Sequence, residues 1–133
     1  MSMSNSTIKP MHQISDLKQN LQSNPEAIEF QDVIDLIDEL YDFTPTEFTN
    51  GAEDKMVINK AGENNGSCKI FYFSQLQGLD EQETLHCFGK YYRIDVLTHP
   101  DNNDHANIRS FIKYGWNNIK FAGKALTLKQ TEK

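Results

Sequence analysis

AGENNGSCKIFYFSQLQGLDEQETLHCFGKYYR, residues 61–93, carries both cysteines of the chain, an Asn-Asn-Gly turn, a dense aromatic run and a Tyr-Tyr-Arg end. Asn64, Asn65 and Gly66 tolerate the left-handed backbone of a tight loop, and the Ser67 hydroxyl can cap the free amides of a helix that follows. On that reading Cys68 takes the first helical position. There the positive end of the helix dipole lowers a thiol pKa and favours the thiolate. The plainer and preferred alternative makes Cys68 a small buried apolar residue beside a turn, because free cysteine is among the most buried residue types.

The run Ile70–Phe73 fits a buried strand as well as a packed helix. Its continuation through Gln75, Leu76 and Gln77 to Gly78, a helix stop, favours the helix. Asp80 followed three residues later by Glu83 predicts a second helix start with a capping box. Beyond it, Leu85, Phe88, Tyr92 and Val96 form one stripe, and Thr84, Cys87, Tyr91 and Ile94 its neighbour. Stripes that wide predict one long helix buried over much of its surface, central to the domain. Cys87 then belongs to the core, and His86 looks outward.

Outward from this stretch, 133 residues suit one domain, placed at 12–128, with tails at 1–11 and 129–133. A net charge of −6 argues against a general nucleic-acid binder. No apolar run reaches membrane-spanning length, and no signal-peptide core follows Met1. Two cysteines provide no disulfide framework, although Cys68 and Cys87 leave one bridge open.

Upstream, Ile14, Leu17 and Leu21 predict a short helix over His12–Leu21, stopped by Ser23, Asn24 and Pro25. Val33, Ile34, Ile37, Leu40 and Tyr41 recur after Phe30 at spacings of three and four, the clearest helical signal in the chain. The other face of that helix is acidic, and residues 26–54 contain ten carboxylates without a Lys or Arg. Such a face is either solvated surface, the default, or a docking face for a basic partner or a carboxylate cluster for a cation. Thr44, Pro45 and Glu47 predict a further helix start. Met56, Val57 and Ile58 suggest a short strand within a loop.

Downstream, Asp101–His105 is rich in oxygen ligands, but Ala106 and Ile112 stand where a calcium loop needs glycine and glutamate. The economical reading has Asp104 capping a helix with Ile108, Phe111, Ile112, Gly115, Trp116 and Ile119 on its face. A strand over Lys120–Thr127 closes the fold. The predicted class is mainly α: a bundle of five or six helices with a minor short β element, α+β being the runner-up.

Two chemistries fit these residues, and a third does not. A thiol enzyme needs Cys68 as nucleophile, His105 or His86 as base, and Asp104 or Asp101 as orienter. A binding pocket draws on Asn64, Asn65, the amides near Gly66 and Ser67, Tyr91, Arg93, His105 and Arg109. Its bland counterpart has the asparagines forming only a turn and the arginines pairing with the acidic helix. Zinc finds no paired short spacings among Cys68, Cys87, His86, His99 and His105, and no cofactor motif occurs.

At FTPTEFTNG, AGENNGSCK, TLHCFGKYYR, DVL, DHANIRSF and GWNNIKFAGKAL the chain resembles the HopJ family of type III effector proteins, over roughly Phe30–Thr127. Ile94, between Tyr-Tyr-Arg and Asp-Val-Leu, departs from the pattern. The resemblance implies a bacterial protein delivered into a host cell by a type III system, with a host or bacterial protein as partner. It implies no known reaction and carries no catalytic residue. The serine-rich, acid-free stretch at Met1–Pro10 is similar to a type III secretion signal.

Overall fold

Residues 11–129 are described by the structure, a computed structural model. The expected tails 1–11 and 129–133 therefore lie outside the described residues except for Met11, which packs against the core, and Lys129. In chain order come α1 (Ile14–Ser23), α2 (Phe30–Leu40), β1 (Tyr41–Phe43), β2 (Phe48–Asn50), β3 (Val57–Asn59), α3 (Asn65–Gln77) and α4 (Glu81–His86). A π-helical turn (Tyr91–Val96), α5 (Ala106–Tyr114), β4 (Lys120–Phe121) and β5 (Leu126–Leu128) follow. The class is mainly α, with more sheet than a minor element. Two small antiparallel sheets, β1-β5 and β3-β2-β4, brace the helices.

Where apolar spacing is strong, helix and burial coincide. Leu17 and Leu21 of α1 and Val33, Ile34, Leu36 and Ile37 of α2 are buried, while the α2 carboxylates face outward. The run Ile70–Phe73 is a helix buried on several sides, and α3 ends at Gly78 in the left-handed conformation. Phe71 sits at the centre of an aromatic cluster, its ring 4.9 Å from Phe111, 5.2 Å from Phe88, and 6.2 Å from both Phe48 and Trp116.

Six expectations are corrected. The start of α3 lies earlier than Ser67: Asn64 is the cap residue, left-handed at φ 52°, and Asn65 and Gly66 form the first turn. Asn64 donates from Nδ2 to Asn59 Oδ1 at 2.7 Å, a tether outside the helix that spacing could not reveal. The long helix after Asp80 is broken. Its capping box is present, but α4 stops at His86 and the chain turns through Gly89 at φ +61°. A Cβ on Gly89 would lie 2.7 Å from the Phe30 backbone nitrogen, so the close approach of α2 demands glycine and interrupts the helix. The expected stripe of Leu85, Phe88, Tyr92 and Val96 is buried nonetheless.

Thr44-Pro45 starts no helix; it turns between β1 and β2, with Thr44 N donating to Ala125 O at 2.8 Å. The predicted strand over Lys120–Thr127 divides into β4 and β5, which join different sheets. Finally, Asp104 does not cap α5. His105, left-handed at φ 52°, occupies the cap, and Asp104 binds Arg109 instead. Helix α5 also ends sooner than expected: Ile112 is 48% exposed, and Gly115 at φ +70° breaks the chain before Trp116, whose Nε1 donates to Leu79 O.

Candidate functional site

The starts of α3 and α5 open on one hollow of about 460 Å³. Asn64, Gly66 and Ser67 line it from α3, and His105, Ala106, Asn107 and Ile108 from α5. Phe88 and Tyr91 contribute the corner around Gly89, Phe30 the start of α2, and Val57 the edge of β3. The Phe30 and Tyr91 rings meet edge-on at 5.1 Å, forming an aromatic wall. None of the lining residues is Asp, Glu, Lys or Arg.

His105 brings an imidazole to this hollow. Its Nε2 lies 3.0 Å from Asp95 Oδ2 and 4.0 Å from Asp104 Oδ2, and its ring is 5.3 Å from that of Tyr91. Tyr91 and Asp95, four residues apart on the π-helical turn, thus both reach the same imidazole. Such turns are over-represented at functional sites.

Behind the hollow, four asparagines tie its two helical edges together. Asn59 Nδ2 donates to Asn107 Oδ1 at 3.0 Å and Asn107 Nδ2 donates back to Asn59 Oδ1 at 2.9 Å, a closed amide pair. Asn50 Nδ2 donates to Asn107 O at 2.8 Å, and Asn64 joins through Asn59. Asn50, Asn59 and Asn107 are buried, where a paired amide rigidifies and an unpaired one is costly. Among the described residues the Asn50 Oδ1 atom has no hydrogen-bond partner.

The model of the HopJ type III effector protein family matches residues 14–126. The chain belongs to that family. No curated protein matches it. Among solved structures, the crystal structure of the unknown-function protein VPA0580 is 47% identical and superposes with a TM-score of 0.82. The match covers 96% of this chain and 100% of that one. Membership marks the HopJ chain as type III effector-like and assigns it no reaction. Among the described residues, no helix is long and apolar enough to cross a membrane.

Of the residues expected to bind, the HopJ hollow gathers Asn64, Gly66, Ser67, Tyr91 and His105. Asn65, Arg93 and Arg109 stand elsewhere. Asn65 is exposed on the first turn of α3. Arg93 is spent on carbonyls, donating to Pro25 O at 3.2 Å, to His86 O at 3.3 Å and to Ile28 O. Arg109 donates to Asp104 Oδ1 at 2.7 Å and to Pro100 O at 3.1 Å, away from the acidic helix, whereas Arg93 lies in the field of Glu29 and Glu26 at the approach to α2. That hydrogen bond from Arg109 holds the Asp104 carboxyl below the usual carboxylate range.

The thiol enzyme is not assembled. Cys68 is 1% exposed, one turn inside α3, with Sγ 3.7 Å from Thr46 O. Cys68 is thus the small buried residue that the preferred reading made it: burial pushes its thiol up to about 11, where a thiolate at a helix start would be lowered, and pushes that of Cys87 to about 12. Both thiols are free. His86, the other candidate base, contacts Gln82 and Arg93, and burial with the Arg93 charge lowers its pKa. The carboxylate nearest His105 is Asp95, not Asp104 or Asp101. Among the described residues, no three His, Cys, Asp or Glu side chains gather in a metal-binding group.

The buried thiols give stability a pH dependence. Both native pKa values are raised above those of the unfolded chain, so the stabilisation is complete below the ordinary thiol pKa of about 8.5. It is lost as pH rises through about 11 and 12. The urea midpoint is expected to fall more steeply with alkaline pH in the native sequence than in a Cys68→Ala/Cys87→Ala double variant. Parallel slopes would contradict the assignment.

Proposed function

We propose that this HopJ protein acts in its type III effector-like role by taking up a small molecule in the hollow between α3 and α5. The observation that carries this reading is convergence: sequence-distant polar and aromatic residues line one opening backed by a buried amide network. Its volume of about 460 Å³ falls within the range of small-molecule sites. Ala106, exposed at the first position of α5, provides a plug. Ala106→Trp is expected to keep the native melting temperature and abolish the stabilisation that a ligand confers. That stabilisation is about 2.7 kcal/mol at a hundred times Kd. A fragment screen by thermal unfolding supplies the comparison. Hits that stabilise Ala106→Trp equally well would refute the reading.

A second reading, capture of a basic host or bacterial protein, is supported by the α2 face. Burial, together with the neighbouring charges of Glu29 and Asp35, raises the pKa of Asp32, and among the described residues only Asp38 has a basic ion-pair partner there, Lys69 Nζ at 2.8 Å. An Asp32→Lys/Asp35→Lys variant that still captures the same partner would remove this alternative.

A further inference from the structure

Two polar side chains of the hollow share one hydrogen-bonding sense. Asp95 Oδ2 lies 3.0 Å from His105 Nε2, and a carboxylate can only accept, so the hydrogen of the neutral ring resides on Nε2. Nδ1 is then a lone-pair acceptor, without a hydrogen-bond partner among the described residues. Asn64 is oriented in the same way. Its Nδ2 donates to Asn59 Oδ1 at 2.7 Å, and the remaining Oδ1 can only accept. Ser67 adds a hydroxyl of either sense. Asn107, the other amide of the wall, has its side chain engaged with Asn50 and Asn59.

Beside these acceptors stands the aromatic wall. The Tyr91 ring lies 5.3 Å from that of His105, and Phe30 meets Tyr91 at 5.1 Å. A flat apolar body fits such a surface. With no formal charge lining the hollow, the complement is a neutral molecule.

On the reading of the hollow as a ligand site, we infer that its ligand is a neutral planar aromatic compound donating a ring N–H or phenolic O–H to His105 Nδ1. Asp95, which does not line the hollow, is the positioning residue that sets this preference through the tautomer. The expectation separates it from an anion drawn to the first-turn amides of α3 and α5.

The test uses the full chain and three probes followed by amide NMR: indole, 1-methylindole and benzoate. Indole is expected to bind saturably, shifting the Gly66, Ser67 and Ala106 amides, with 1-methylindole weaker by about tenfold, the loss of one hydrogen bond. Long-range nitrogen spectra of His105 are expected to show hydrogen on Nε2. In Asp95→Asn an amide can donate to Nε2 and move the hydrogen to Nδ1. Indole affinity is expected to fall about tenfold with that change, while the urea midpoint holds. Equal binding of indole and 1-methylindole, binding of benzoate alone, or a wild-type hydrogen on Nδ1 would each overturn the inference. A tautomer change without an affinity change would do the same. If other fragments bind in an Ala106→Trp-sensitive manner while indole does not, this inference fails and the ligand-site reading stands; if nothing binds there, both fail.

Discussion

Phe71→Ala is expected to lower the free energy of unfolding by about 3–5 kcal/mol, the range for removing a large aromatic side chain from a packed interior. The ring is 0% exposed and touches aromatic partners from β2, the α4 corner, α5 and the turn after it. No single neighbour can collapse into the space without leaving another. Against a typical total stability of about 5–15 kcal/mol, the loss is a large fraction of the whole. Urea denaturation followed by fluorescence of Trp116, the only tryptophan in the chain, reports on the cluster directly. A shift below about 1 kcal/mol would mean that the rings do not pack as described. Phe88, one of the four partners, also lines the hollow, so binding is expected to weaken along with stability.

Asn59→Ala is expected to cost about 2–3 kcal/mol, because it strands the buried Asn107 Nδ2 and removes the donor to Asn107 Oδ1. Asn64, being exposed, regains water for its own donor and contributes less. Asn59→Asp separates geometry from hydrogen-bond sense. A carboxylate keeps the acceptors for Asn107 and Asn64, yet it donates to neither Asn107 Oδ1 nor Phe48 O unless protonated. Burial raises the pKa of such a group above its unfolded value. Its stabilising contribution is therefore present at acidic pH and lost as pH rises. The deficit of Asn59→Asp relative to the native chain is expected to be larger at neutral than at mildly acidic pH. A pH-independent deficit would show that the pair is not sealed from water.

How much of this was legible follows from the distance over which each signal acts. The starts and stops at Pro25, Gly78 and Asp80 are local chemistry; α1 and α2 follow from spacing, and α3 from the continuation of its apolar run to Gly78. The break at Gly89 is not local: it answers to the Phe30 backbone, about sixty positions upstream in the chain. Strands β1 and β2 were unreadable for the same reason, since Tyr41 pairs with Leu128 and Phe48 with Phe121. At the hollow, Asn64, Gly66, Ser67, Tyr91 and His105 stand out by residue type at loop and helix starts. Asp95 gives no such sign, because its importance lies in the π-helical turn that brings it to His105. Arg93 misleads in the opposite direction, a cation whose charge is absorbed by backbone carbonyls. A polar residue such as Asn107, inside the periodic apolar face of α5, is the signal that could have pointed to the buried amides.

The ladder β1-β5 also dictates when this protein can mature on a ribosome. Until residues 120–128 have left the exit tunnel, Tyr41–Phe43 has no mate and Phe48–Asn50 has only β3. A nascent chain stalled before that point carries a raw, adhesive border of the kind chaperones cover. Pulled through a narrow pore from the β5 end, the same molecule would unzip one ladder and then the other before tension reached α5.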